Sequence, residues 1–403
     1  MAAPQVPSHH ELTRYRYISA DSHLECSPDL WRPYVAREFR DWVPEVVKLP
    51  GGGDGWLYRG AAEPVSIVRS LAGGLRGRAR YTHEHPRSAS YADRPPGAGD
   101  GNQRLAELDE DGVDAEILFP PIMHHYQLAS AGIPAEAYVA VSRGYNDWLS
   151  SEFCAVDYGR LLGCAMLPVT SIDDAVDEVS RIAGMPGIRT VLLHQWPNGE
   201  PRPEPDADDR FWAVCMDTGL PISVHVQFGG GRSAEQAAPG PFHSVSLNQL
   251  MTRATGQGVD TGYCVSQLIT SGAFDRFPTL RLAFAETGAG WVPFYAEQAD
   301  TNYDRHRYWW GFELAHPPSY YVKKHFLWGI QDDYFAVRVR HEIGLGNLMW
   351  ATDFPHHATD WPCSRDLIET MFAGVPDAER QQIIAGNAVD FYRLDDPRPD
   401  VLT

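Results

Sequence analysis

Short runs of apolar and β-branched residues alternate with amphipathic stretches along nearly the whole chain. Eight runs read as strands: Tyr17–His23, Ala115–Phe119, Leu161–Leu167, Ile188–His194, Pro221–Val226, Leu280–Glu286, His325–Gly329 and Leu348–Asp353. Between them lie helix-like segments such as Ala135–Phe153, Asp173–Ala183, Asp209–Thr218 and Ser364–Phe372. Strand and helix in alternation is the rhythm of βα units around a parallel sheet, and eight such units predict an α/β fold, a TIM-like (β/α)8 barrel. Ser27 followed by Pro28 marks a helix start just after the first strand, a hydroxyl cap before a proline at the first helical position. Two stretches break the rhythm: 41–104, rich in Gly, Pro and Arg, and 228–260, which opens on Phe228-Gly229-Gly230-Gly231. Both are expected to be long βα-loop insertions near the barrel mouth, within one domain spanning 1–403.

Composition narrows the function. The chain has 403 residues, 43% of them hydrophobic, with 12 Trp, enough to bury a large core. Its 34 basic against 53 acidic residues give a formal charge of −19, which repels nucleic acid and anionic membrane surfaces and leaves a small molecule as the expected partner. The six cysteines are widely spread with no CxxC pair, which fits a reducing cytoplasm better than a disulfide framework or a structural zinc site. The first residues, MAAPQVPSHHELTRYRYIS, carry no apolar h-region, and no apolar run is long enough to cross a bilayer.

The candidate chemistry lies at the strand ends. In YISADSHLE a two-residue period puts Asp21, His23 and Glu25 on one side, with Ile18 and Ala20 facing the other way. A solvated strand end, or a turn capped by a carboxylate, fits the same pattern. The fourth and fifth strands each deliver one histidine from an apolar segment, His194 and His225. Alone, each would read as a hydrogen-bonded core residue; together, at equivalent ends of adjacent strands, they point to the face where barrel enzymes gather catalytic groups. The sixth strand ends at Glu286 and the eighth at Asp353, shortly before His356. A carboxylate buried at such a place needs a cation or several donors to compensate it. The oxygen and imidazole set Asp21, His23, Glu25, His194, His225, Glu286 and Asp353 suits Zn, Mn or Fe, and exceeds what a single ion requires.

At these residues the chain resembles the amidohydrolase superfamily, in the branch of the aminocarboxymuconate-semialdehyde decarboxylase-like hydrolases and decarboxylases. The likeness runs from Ile18 to Tyr392 and includes Asp21-Ser22-His23, Asn146-Asp147-Trp148, the segment ETGAGWVP from Glu286 to Pro293, Thr352-Asp353-Phe354-Pro355-His356 and Gly386-Asn387-Ala388. The resemblance implies ligands at His23, His225 and Asp353. Asp21 stands where the family's first histidine would be, Glu286 where its strand-6 histidine would be, and His194 lies near the position of its bridging lysine.

The carboxylate-rich set also resembles that of nonheme diiron proteins, including the TIM-barrel diiron monooxygenases of platensimycin and platencin biosynthesis. On that resemblance the expected enzyme is an oxidoreductase of antibiotic (secondary) metabolism. Two iron ions, O2 and an electron donor would hydroxylate a bulky apolar, diterpenoid-like intermediate, with Asp353, Glu286 and His356 as catalytic groups. The aromatics Tyr308-Trp309-Trp310, Trp196, Phe228 and Trp361 would line its pocket or serve packing. Arg76, Arg78 and Arg80, with Arg69 and Arg87, would clamp the phosphates of a coenzyme A thioester, or form a solvated loop. The alternative is a mononuclear Zn or Mn hydrolase or decarboxylase of a small carboxylic acid, with Asp353 as proton shuttle. The family resemblance further implies a homodimer.

Overall fold

The structure is a computed structural model that describes residues 15–68, 70–71, 88–121, 132–200, 204–226, 228, 247–311 and 313–395. Eleven strands are described: β1 Ile18–His23, β2 Glu45–Lys48, β3 Asp54–Leu57, β4 Val65–Ser66, β5 Ala115–Phe119, β6 Leu161–Met166, β7 Ile188–Leu192, β8 Ile222–His225, β9 Leu282–Ala285, β10 Phe326–Ile330 and β11 Leu348–Trp350. Eight of them form one sheet in the order β1-β5-β6-β7-β8-β9-β10-β11, and each pairing between neighbours is parallel. The sheet closes where the chain past β11 meets β1: Asp353 N donates to Asp21 O at 3.0 Å and His23 N to Phe354 O at 2.6 Å. The fold is the TIM-like (β/α)8 barrel that the alternation predicts.

Side-chain alternation builds the two cores of the barrel. Along β9, Leu282 and Phe284 join the large cluster between strands and helices, while Ala283 and Ala285 join a second cluster with Ile18, Ala115, Ile117, Leu327 and Met349. Small and branched residues fill this inner layer, as the narrow interior of an eight-stranded barrel requires.

β1 departs from regular alternation. Ser19 pairs with Glu116 and Ser22 with Leu118, so Ala20 and Asp21 together oppose Ile117 alone. This is a β-bulge, and it re-aims the side chains beyond it. The sequence pattern set Ile18 and Ala20 opposite Asp21 and His23. Instead Ile18 and Ala20 belong to the inner cluster, and Asp21 and His23 still reach the ligand group at the barrel mouth.

The first arrhythmic stretch holds a three-stranded antiparallel sheet, β2-β3-β4, over its own small core of Trp56, Tyr58, Ile67, Leu71 and Ala98. Trp56 Nε1 donates to Tyr91 Oη at 3.0 Å, and Tyr91 Oη donates to Glu25 O at 3.0 Å, which ties this unit to the chain leaving β1. In the second stretch the helix Leu247–Thr270 begins where the sequence showed little periodicity. Ser27 caps only a single 3-10 turn, Pro28–Leu30. Among the described residues no helix is long and apolar enough to cross a membrane.

Candidate metal centre

Three of the barrel strands end in the same unusual way. Val226, Glu286 and Asp353, each just past β8, β9 and β11, have φ of 58°, 55° and 54°. Left-handed backbone at non-glycine residues carries strain, and it is held here by neighbours on both sides. Val226 N donates to Ala285 O at 2.9 Å, and Thr261 Oγ1 donates to Val226 O at 2.8 Å. These turns end the strands at the mouth, where Glu286 and Asp353 meet the histidines.

His23 Nε2 is the centre of the arrangement. It lies 3.4 Å from Asp21 Oδ1, 3.2 Å from Asp353 Oδ1 and 3.1 Å from His225 Nε2. His225 Nε2 is 3.7 Å from Asp21 Oδ2 and 3.4 Å from Glu286 Oε2. His356 Nδ1 stands 2.9 Å from Asp353 Oδ1, its Nε2 stands 2.9 Å from Glu25 Oε1, and its ring stacks on His23 at 3.8 Å. Asp21, His23, Glu25 and Asp353 are almost completely buried, while Glu286 keeps 29% of its side chain exposed.

The electrostatics follow from burial and crowding. Burial, then repulsion from Asp353 and Glu286, raises the Asp21 carboxyl well above the ordinary carboxylate range. Burial also lowers His23 to about 4, helped by the charge on His356. His225 falls well below its usual value, through burial and then His23. At Asp353 burial works upward, but the charge on His356 and hydrogen bonds from His23 and His356 outweigh it and hold the carboxyl well below the ordinary range. His356 is pushed the other way: burial opposes its proton, and Asp353 and Glu25 together hold it.

These residues fit a divalent cation. Both Asp21 oxygens are buried with no hydrogen-bond partner, an expensive state for polar atoms. Two overlapping groups, Asp21-His23-His225 and His23-Asp353-His356, each bring three ligand atoms within 4.8 Å of one another. Donors about 2.1 Å from an ion at tetrahedral angles stand roughly 3.4 Å apart. The spacings of 3.1 to 3.4 Å from His23 to Asp21, His225 and Asp353, and of 3.7 Å from His225 to Asp21, are of that size.

The other residues singled out in the sequence are placed differently. Glu25 joins neither group: one oxygen faces His356, and Ser70 adds a hydrogen bond from the insertion. His194 lies past the end of β7, where its Nε2 and Tyr138 Oη are 2.9 Å apart. Tyr138, on the helix Ala135–Trp148, carried no signal in the sequence because it reads as one more core aromatic of an amphipathic helix. Asn146 and Asn387 are structural: Asn146 Nδ2 donates to Met166 O at 2.9 Å, and Asn387 Nδ2 to Leu348 O at 2.7 Å, fastening helices to strands. Trp196 packs on Phe228 and Trp361 on Phe354, whereas Tyr308 and Trp309 stand 78% and 83% exposed. Arg69, Arg76, Arg78, Arg80 and Arg87 lie outside the described residues, as does the side chain of Trp310.

The chain belongs to the amidohydrolase family, whose model matches residues 21–394. It is 24% identical over 328 residues to the gamma-resorcylate decarboxylase of Rhodococcus jostii, covering 72% of this chain and 87% of that protein. It is 22% identical over 305 residues to the 2-amino-3-carboxymuconate-6-semialdehyde decarboxylase of Dictyostelium discoideum, covering 73% and 77%. Among solved structures, 5-carboxyvanillate decarboxylase from Novosphingobium aromaticivorans, complexed with manganese and 4-hydroxy-3-methoxy-5-nitrobenzoic acid, superposes with a TM-score of 0.60 at 16% identity over 94% of this chain and 96% of that one.

These relatives overturn the expectation of an iron-dependent monooxygenase in antibiotic biosynthesis. The curated relatives are decarboxylases, and loss of CO2 is redox-neutral, so it requires neither O2 nor an electron donor nor a redox-active iron pair. The resemblance to diiron proteins rested on counting carboxylates along the sequence. In the fold one of those carboxylates, Glu25, is directed at His356 and is a member of neither ligand group.

Proposed function

We propose that this chain is a metal-dependent decarboxylase of a small carboxylic acid in which the carboxyl group sits on an aromatic or conjugated carbon. One divalent cation, manganese or zinc, would be held by Asp21, His23, His225 and Asp353. The observation that carries this reading is the buried Asp21 carboxylate, both oxygens without a hydrogen-bond donor, facing His23 and His225 at ligand spacing. The relatives' substrates, gamma-resorcylate and an aminocarboxymuconate semialdehyde, supply the substrate class.

When bound, the cation would supply Lewis-acid polarisation of a substrate oxygen. The protein's residues supply the rest. Asp353, beside His23 and His356, would serve as a ligand to the cation. His356, held between Asp353 and Glu25, adds a fixed positive charge beside the substrate carboxylate. As the bond to the carboxyl carbon breaks, CO2 leaves and the electron pair stays on the substrate carbon, which takes up one proton. Glu286 is the carboxyl group of the set most open to solvent; it would take a proton from water and pass it to that carbon, returning to the carboxylate.

The test combines metal analysis with turnover. Protein supplied with manganese, zinc and iron is expected to carry about one manganese or zinc per chain and to release CO2 from gamma-resorcylate or a related acid without O2 uptake. Asp21→Asn and His225→Ala should each lower metal content at least tenfold. Full metal content in both variants, or turnover that consumes O2, defeats the reading.

A further inference from the structure

We propose that Arg104 is a positioning residue for the metal centre: its guanidinium replaces a ladder N–H that the sequence withholds from the His23 carbonyl, and so fixes the end of β1 against the end of β11. The inference rests on the reading of a cation held by His23 and Asp353.

The need for such a group follows from the chain around β1. On the β5 side, Leu24 N donates to Phe119 O, so Leu24 and not His23 turns its backbone groups to that strand. On the β11 side, Asp353 N donates to Asp21 O and His23 N to Phe354 O. A continued parallel ladder would return the N–H of His356 to His23 O. That N–H instead closes a turn onto Asp353 O at 2.9 Å, and Pro355 has none. The carbonyl of a proposed ligand, in a fully buried residue, is therefore short of a backbone donor from either neighbouring strand.

Arg104 Nη2 supplies the hydrogen bond, 2.5 Å from His23 O. Arg104 comes from the helix Gly101–Asp111 and is 2% exposed. Its Nη1 lies 3.2 and 3.3 Å from the two oxygens of Glu116 on β5, and its guanidinium carbon stands 4.7 Å from the ring centre of Phe354. One planar group therefore touches β1, β5 and the residue that follows Asp353. A lysine ammonium has no fork with which to reach Glu116 and His23 in two fixed directions. Pairing with Glu116 alone would account for a buried ion pair between helix and barrel. The second arm reaches the backbone of the very residue whose imidazole lies 3.2 Å from Asp353.

The test uses manganese alone, titrated into the metal-free full chain, with free ion read from its EPR signal and folding from thermal melting of the same samples. Arg104→Met is expected to weaken manganese binding ten- to hundred-fold. Arg104→Lys should lose about tenfold despite keeping the charge. Glu116→Gln, which removes the ion pair to β5 but leaves Glu107, 3.7 Å from Arg104 Nε, and the bond to His23, should stay within about threefold of the parent. Arg104→Met within threefold of the parent overturns the proposal, and so does Glu116→Gln losing as much as Arg104→Met. Should Arg104→Met fail to fold, Arg104→Lys against Glu116→Gln decides it: equal affinities refute it. A parent protein that binds no manganese defeats the metal reading itself, a result distinct from parent binding that Arg104 does not influence.

Discussion

His194 shows how a single buried imidazole is tied to the fold's stability. Burial lowers it to about 4, against an ordinary value of 6.5, so it is neutral in the native protein at pH 7. Between those values the unfolded chain binds the extra proton and the native one does not. Stability is therefore lost as pH falls from about 6.5 toward 4. Comparing urea unfolding of the metal-free protein at pH 7 and pH 5, the parent should lose about 2 kcal/mol more than His194→Asn. Equal losses would mean that the imidazole is already solvated. His194→Asn should also retain metal, since its Nε2 is already engaged by Tyr138 Oη. That partner lies 56 positions away in the chain. The histidine was legible as a polar residue at a strand end, but whether it faced a cation or a tyrosine was not.

At the level of elements, the strand termini store strain that the strands' own sequences do not announce. Val226 is β-branched and holds φ at 58°, a conformation costing about 1–2 kcal/mol for a residue with a side chain. Glycine there removes that strain but adds unfolded-state entropy of roughly 0.5–1 kcal/mol. Val226→Gly should therefore raise the stability of the metal-free protein slightly, by up to about 1 kcal/mol in denaturant unfolding. It should weaken manganese binding at the same time, because the turn that aims His225 is released. A loss of more than about 1 kcal/mol would show that packing of the valine outweighs the strain. The alternation of strands and helices was readable because each strand's burial is written in its own residues. The bulge in β1 was not: YISADSHLE alternates regularly, and the extra residue exists only in register with β5. The helix Leu247–Thr270 was missed for a related reason, since it starts among residues with little apolar periodicity and takes its helical form from the surrounding fold.

For the whole molecule the open question is which field an anionic substrate meets. The net charge of −19 repels a carboxylate at long range. Against it stands the local charge of His356 at the centre. The two contributions differ in reach. Salt shortens the screening length from about 30 Å at 0.01 M to about 8 Å at 0.15 M, which quenches the diffuse repulsion while leaving short contacts inside a buried site much less affected. If net charge governs approach, kcat/KM for the proposed carboxylic acid substrate should rise several-fold across that range, with the change in KM and kcat nearly constant. A fall of similar size would instead mean that local positive charge, and not the net charge, governs approach. Steady-state kinetics at matched free manganese, with chloride as the only varied anion, separates the two outcomes, because metal loading is the other quantity that salt would change.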